Sequence, residues 1–151
     1  MNNKFAVVIT SINHPTEAIL EIAKKAQDDL FDFIVIGDRK SPTDFEVDGC
    51  CFLSLEEQLK SDFVFARNCP KGHYARKNIG YLIAISRNCS YIVETDDDNI
   101  PFNSFWQPRK AELSVPQISQ KGWVNVYKYF SDSLIWPRGL PLNAIHSEVL
   151  P

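Results

Sequence analysis

The feature that most constrains this sequence is an uninterrupted apolar run of strand length near its start, Phe5-Ala6-Val7-Val8-Ile9-Thr10. A strand with one wet face alternates apolar and polar residues, whereas a run with no polar interruption needs cover on both faces. Helices supply that cover in parallel sheets, because each parallel connection must cross over the sheet. The following residues meet this demand. Pro15 suits the first turn of a helix, where a missing N–H costs nothing. Ala18, Ile19, Ile22, Ala23, Ala26 and Leu30 then recur at helical spacing and give one apolar face. Phe33-Ile34-Val35-Ile36 reads as a second buried strand, ended by Gly37-Asp38. A turn-rich stretch from Ser41 to Gly49 leads to a short third strand, Cys51-Phe52-Leu53, and Ser54-Leu55-Glu56-Glu57 forms a capping box that opens a short helix. Residues 67–73 read as a loop. A longer helix is expected from His73 to Asn88, with Ala75, Ile79, Leu82, Ile83 and Ser86 turned inward, before the strand Tyr91-Ile92-Val93. Beyond Pro101 the pattern loosens: Gly122 to Tyr127 alternates like a strand, and Trp136-Pro137-Arg138-Gly139 reads as a structured loop. The order predicts an α/β/α sandwich with a mostly parallel sheet, as one domain over residues 1–151.

Composition narrows the partners. A net charge of -3 argues against a nucleic-acid partner, which calls for a basic face. No stretch approaches the ~18 to 20 apolar residues of a membrane span, and Phe5 to Ile9 is too short for a signal-peptide core. The chain as it stands therefore reads as cytoplasmic, without a membrane segment. Cys50, Cys51, Cys69 and Cys89 form no CxxC pair and are expected as reduced thiols. Cys69 and His73 lack the second pair of ligands that zinc requires. The closing residues Ser147 to Pro151 carry no capped helix, as in a piece of a longer chain.

The chemistry concentrates at Glu94-Thr95-Asp96-Asp97-Asp98-Asn99, directly after a predicted buried strand. Ligands of open α/β sheets bind outside the carboxyl ends of the strands. Three adjacent carboxylates repel one another, and a hard divalent cation such as Mg²⁺ or Mn²⁺ would relieve that repulsion. In an extended segment, Asp96 and Asp98 share a face and can address one metal. The competing reading is that aspartates simply favour turns and caps.

Three further segments are candidates. Gly72-His73-Tyr74-Ala75-Arg76-Lys77-Asn78-Ile79-Gly80 places Arg76 and Lys77 at a helix start, where cations oppose the helix dipole and a bound anion would reverse the sign. Thr10 and Ser11, at the end of the first strand, and Asp38, after the second, suit a nucleoside, or a helix cap and a turn. Trp136 and Arg138, in a loop framed by Pro and Gly, suit a sugar ring or a phosphate. The aromatic stretch Tyr127 to Phe130 suits either a ligand or the core.

Together these segments carry a resemblance. The helix opening Ala75-Arg76-Lys77-Asn78-Ile79-Gly80 before a strand that ends in clustered aspartates resembles the nucleotide-sugar half of GT-A glycosyltransferases, with one residue inserted relative to the commonest Ala-Arg-Asn-x-Gly form. Val8-Ile9-Thr10-Ser11-Ile12-Asn13, Val35-Ile36-Gly37-Asp38, His73 to Tyr81, Glu94 to Asn99 and Ile135-Trp136-Pro137-Arg138-Gly139 resemble the STELLO-type glycosyltransferase-like family. That family looks related to the reversibly glycosylated polypeptides, which act as UDP-arabinose mutases. The resemblance implies a GT-A-like (Rossmann-like) fold, with a donor half over residues 1–100 and a short or truncated acceptor half. It implies a UDP-sugar donor, an unspecified acceptor, and Mn²⁺ or Mg²⁺ held by Asp96 and Asp98. It also implies donor contacts from Thr10, Ser11, Asp38, Arg76, Lys77, Asn78, Asp96, Asp97, Trp136 and Arg138. The implied activity is metal-dependent hexosyl or pentosyl transfer. Members of the family known from plants are larger and membrane-anchored. No catalytic base is selected among Asp132, His146 and Glu148.

Other classes compete with transfer. A non-catalytic nucleotide-sugar-binding module or scaffold would keep the donor site alone. A nucleotide-sugar mutase uses the same donor. A nucleotidyltransferase usually has a Gly- and Lys-rich loop after the first strand, and Thr10 to Thr16 has neither residue. A haloacid-dehalogenase-type phosphatase would place its Asp on the first strand, which here ends in Thr10-Ser11.

Overall fold

The computed structural model describes residues 4–29, 31–107, 110, 112–119 and 121–144. They fall into two compact units, residues 1–108 and 109–151. The first unit contains β1 (Phe5–Thr10), α1 (Glu17–Asp29), β2 (Asp32–Ile36), β3 (Cys51–Leu53), α2 (Leu55–Lys60), α3 (Val64–Asn68), α4 (Lys77–Ser86) and β4 (Tyr91–Glu94).

The four strands form one sheet in the order β3-β2-β1-β4, and every pairing is parallel. The sheet grows from β1 through β2 to β3, and then β4 is laid on the other side of β1. Right-handed crossovers in opposite directions put their helices on opposite faces. Accordingly, Val7, Ile9, Phe33 and Val35 pack with Ile19, Ile22, Ala23 and Ala26 of α1. Ala6, Val8, Ile34 and Ile36 pack with Ala66 of α3 and with Ile79, Ile83 and Ala84 of α4. The three-layer α/β architecture follows, and it agrees with a GT-A-like, Rossmann-type arrangement.

Several local expectations shift. Thr16, not Pro15, sets the start of α1: its hydroxyl accepts from Ile19 N at 3.3 Å. Leu30, expected on the apolar face, lies outside the described residues. The capping box of α2 forms as the sequence indicates, with Ser54 and Glu57 satisfying each other's backbone N–H groups. The helix expected from His73 opens instead as a 3-10 turn, Tyr74–Arg76, that runs into α4. Ser86 is exposed, and the inward face holds Arg76, Lys77, Ile79, Gly80, Ile83 and Ala84. Periodicity missed the two cations because a charge is buried only when tertiary partners answer it. The helix lies close to the sheet at Gly80, where a β-carbon would stand 2.5 Å from Val8 Cγ1. The four cysteines are free.

In the second unit the expected strand over Gly122 to Tyr127 is replaced by a 3-10 turn, Val126–Tyr129. Asn125 causes the change. Its side chain accepts from Tyr127 N at 3.1 Å and donates to Ile135 O at 2.7 Å, closing the backbone into a cap. Tyr127, Tyr129 and Phe130 are exposed, so they do not form a core.

Candidate functional site

The reversal of strand order between β1 and β4 leaves a crevice outside the carboxyl ends of the strands, where such sheets bind ligands. The crevice has a volume of about 640 Å³. Its walls include Thr10 at the end of β1 and Ser11 just after it, Asp38 after β2, Gly72 to Tyr74 before α4, and Asp96, Asp97 and Asp98 after β4. Six of the ten donor contacts implied by the sequence, Thr10, Ser11, Asp38, Arg76, Asp96 and Asp97, line this one cavity, as does Asp98.

The aspartates do not continue the strand. The backbone turns at Asp97-Asp98, with Asn99 N donating to Asp96 O at 3.3 Å. The strand alternation that would set Asp96 and Asp98 on one face therefore does not apply. Each carboxylate has a different environment. Asp97 accepts from Ser11 Oγ at 2.5 Å and from Asn13 Nδ2 at 3.0 Å, and its carbonyl accepts from Thr16 Oγ1. The β1–α1 loop is thereby tied to the end of β4. Asp96 Oδ1 accepts from Tyr74 Oη at 2.9 Å and from Lys77 Nζ at 3.1 Å. These two donors, Lys77 first, hold the Asp96 carboxyl below the usual carboxylate range. Asp98 is exposed and makes no hydrogen bond among the described residues.

Asp38 anchors the opposite wall. Its Oδ2 accepts from Gly72 N at 2.7 Å and His73 N at 3.1 Å, and its Oδ1 from Arg39 N at 2.8 Å. Burial pushes its carboxyl up, but the three backbone donors outweigh burial and the group lies low. Gly72 reaches this position with φ at +67°, a conformation that glycine adopts at no steric cost.

The two cations have unlike roles. Arg76 is 1% exposed, and its guanidinium points into the protein. It donates to Gln58 Oε1 at 2.8 Å, Cys69 O at 3.0 Å and Ala66 O at 3.5 Å. Three of its donors thus brace the loop under the crevice, where the resemblance implied a diphosphate contact. Gln58, fully buried, joins this brace to the sheet by donating to Gly37 O and Leu53 O, each at 2.8 Å. Lys77 is also buried and is not a wall of the crevice; it pairs with Glu94 at 3.0 Å and Asp96 at 3.1 Å. Burial pulls its ammonium pKa down, but hydrogen bonds to Tyr74, Glu94 and Asp96 outweigh burial and raise it. Asn78, expected at the donor, is exposed and donates to Ala75 O at 2.8 Å; the helix turns it away from the cavity. Trp136 and Arg138 belong to the second unit. Of the candidate bases, Asp132 lines a separate hollow in that unit, and His146 and Glu148 lie outside the described residues.

Sequence reasoning missed Tyr74, Tyr81 and Gln58. Glu94 Oε2 accepts from Tyr81 Oη at 2.5 Å. Tyr74 and Tyr81 stand three residues before and four after Lys77. Helical spacing was the available signal for both.

No family model matches the chain. Two curated proteins of Arabidopsis thaliana align with it. Probable glycosyltransferase STELLO2 is 28% identical over 92% of this chain and 20% of its own length. Probable glycosyltransferase STELLO1 is 27% identical over 92% of this chain and 19% of its own length. The chain resembles the STELLO-type family over nearly its whole length. It spans about a fifth of the length of these relatives. Of the stretches that carry the resemblance, the ends of β1 and β2, the opening of α4 and the aspartates after β4 border the crevice, whereas Ile135 to Gly139 belongs to the second unit. No helix among the described residues is long and apolar enough to cross a membrane.

Proposed function

We propose that the crevice binds a UDP-sugar together with Mn²⁺ or Mg²⁺, and that this chain supplies the donor-binding part of a glycosyltransferase-like protein. One observation carries the reading: Thr10, Ser11, Asp38 and the Asp96–Asp98 turn, distant in sequence, line a single cavity at the switch point of a parallel sheet. Its volume of about 640 Å³ falls within the ~300–1,000 Å³ of small-molecule sites.

Among the described residues, no three His, Cys, Asp or Glu side chains gather as a metal cage. That pattern fits an ion that arrives with a diphosphate, since Mg²⁺-type ions take one or two carboxylates and fill their sphere with phosphate and water. Asp96 and Asp98, both lining the cavity, are the residues that would hold it. When bound, the ion neutralises charge that develops on the departing UDP. Asp97, fixed by Ser11 and Asn13, sets the shape of the turn, and Asp38 keeps the Gly72-His73 wall in place for the nucleoside. Because the chain spans a fifth of its relatives, donor binding comes first in this reading and transfer to an acceptor second.

Calorimetric titration with UDP and UDP-sugars, with and without Mn²⁺, tests the reading. The expected result is binding that depends on the metal and weakens by about tenfold or more, some 1.4 kcal/mol, in an Asp96→Asn/Asp98→Asn variant. Binding of equal strength in that variant, or no UDP binding in either protein, would sink the proposal. Donor hydrolysis then separates an enzyme from a binding module.

A further inference from the structure

Lys77 is a buried cation to which the donor reading gives no role, although one of its partners, Asp96, belongs to that site. The Lys77 side chain is 2% exposed, whereas Glu94 and Asp96 are each 52% exposed. The cation is therefore built into the fold behind two carboxylates that face outward. Its ammonium donates to Tyr74 Oη, to Glu94 Oε1 at 3.0 Å, to Thr95 O at 3.1 Å and to Asp96 Oδ1 at 3.1 Å, and it lies 4.4 Å from the centre of the Tyr74 ring. Tyr74 and Tyr81 complete the shell by donating to Asp96 and Glu94. One oxygen of Asp96 thus already holds two donors, one of them charged.

This arrangement has a consequence for a divalent ion. A bare ion entering the crevice meets Asp98 and an Asp96 whose charge is largely answered, with an ammonium directly behind it. A nucleoside diphosphate brings negative oxygens that restore the attraction. We propose that Lys77 is a positioning residue that couples the two ligands, so that the crevice holds the divalent ion far more tightly together with the diphosphate than alone. This inference rests on the donor reading above.

The test is calorimetry on the full chain with Mn²⁺ alone, UDP alone, and Mn²⁺ in saturating UDP, alongside thermal melting to confirm the fold. In the parent, Mn²⁺ binds about tenfold or more tightly with UDP than without it. Lys77→Met strengthens binding of Mn²⁺ alone by about tenfold and shrinks the difference that UDP makes. Glu94→Gln leaves the ammonium to Asp96 and moves the other way, weakening Mn²⁺ alone. A merely structural Lys77 would weaken every ligand and lower the melting temperature, without selectively strengthening the metal. A folded Lys77→Met variant with unchanged or weaker Mn²⁺ binding overturns the inference. Should that variant fail to fold, unchanged or tighter Mn²⁺ binding in Glu94→Gln overturns it. UDP-dependent Mn²⁺ binding that ignores Lys77 refutes this inference alone, whereas no UDP binding by the parent refutes the donor reading with it.

Discussion

Gly80→Ala is the most informative single perturbation of the scaffold. Gly80 lies on the buried face of α4, one turn beyond Lys77, against β1 and β2. An added β-carbon would stand 2.5 Å from Val8 Cγ1 and 3.1 Å from Ile36 Cγ1, whereas ordinary contacts begin at 3.4 Å. Neither neighbour can swing aside: both are β-branched, fully buried and fixed in the central strands. The helix must therefore lift. Overpacking of this kind costs about 1–3 kcal/mol. Replacing glycine by alanine in a helix returns up to about 1 kcal/mol. A 2.5 Å approach to an immobile carbon calls for the upper part of that range, about 2–3 kcal/mol, so the net is a loss of about 1–2 kcal/mol, where propensity alone predicts a gain. For a chain of this size that lowers the melting temperature by about 2–8 °C. Thermal unfolding followed by circular dichroism reads the shift. A variant that melts at or above the parent temperature would refute the close seating of α4 on Val8.

Two further outcomes follow from the walls of the crevice. Gln58→Leu removes the acceptor for Arg76 Nε and the donor to Gly37 O; with about 1–3 kcal/mol for each buried group left unpaired, stability falls by about 2–6 kcal/mol, and an unchanged urea midpoint would contradict this. Asp38→Asn tests the low carboxyl of Asp38, which its backbone donors depress against the effect of burial. A depressed folded value stabilises the protein above the ordinary carboxylate pKa and ceases to do so as pH falls through it. The stability gap between parent and variant is therefore expected in full at neutral pH and to close below about pH 4, whereas a gap constant down to pH 3 would exclude the assignment.

The sheet was legible because burial on both faces leaves little choice. Phe5 to Thr10 and Phe33 to Ile36 can be satisfied only between two helical layers. The aspartates stood out because they follow an apolar strand, but that strand, β4, ends the sheet order with Tyr91 and Glu94 exposed and is not buried on both faces as its sequence suggested. What escaped was set by contacts between segments far apart in the chain. Arg76 and Lys77 look like unfavourable charges at a helix start, and from sequence an anion seemed the natural remedy. The remedy is internal: Glu94 and Asp96 for Lys77, and Gln58 with two backbone carbonyls for Arg76. The pairing of Lys77 with Glu94 needs α4 and β4 to be packed before it exists. The turn at Asp97-Asp98 was hidden for the same reason, since Ser11, Asn13 and Thr16 pull it out of line from another loop.

Arg76 and Lys77 are neighbours in the chain, yet they grip different sides of the crevice. Arg76 holds the carbonyls of residues 66 and 69 and, through Gln58, the end of β2. Lys77 holds Thr95 and Asp96 beyond β4. A single peptide link therefore acts as the rivet of a pair of tongs. A substitution that displaces the start of α4 would therefore disturb both walls together, not one alone.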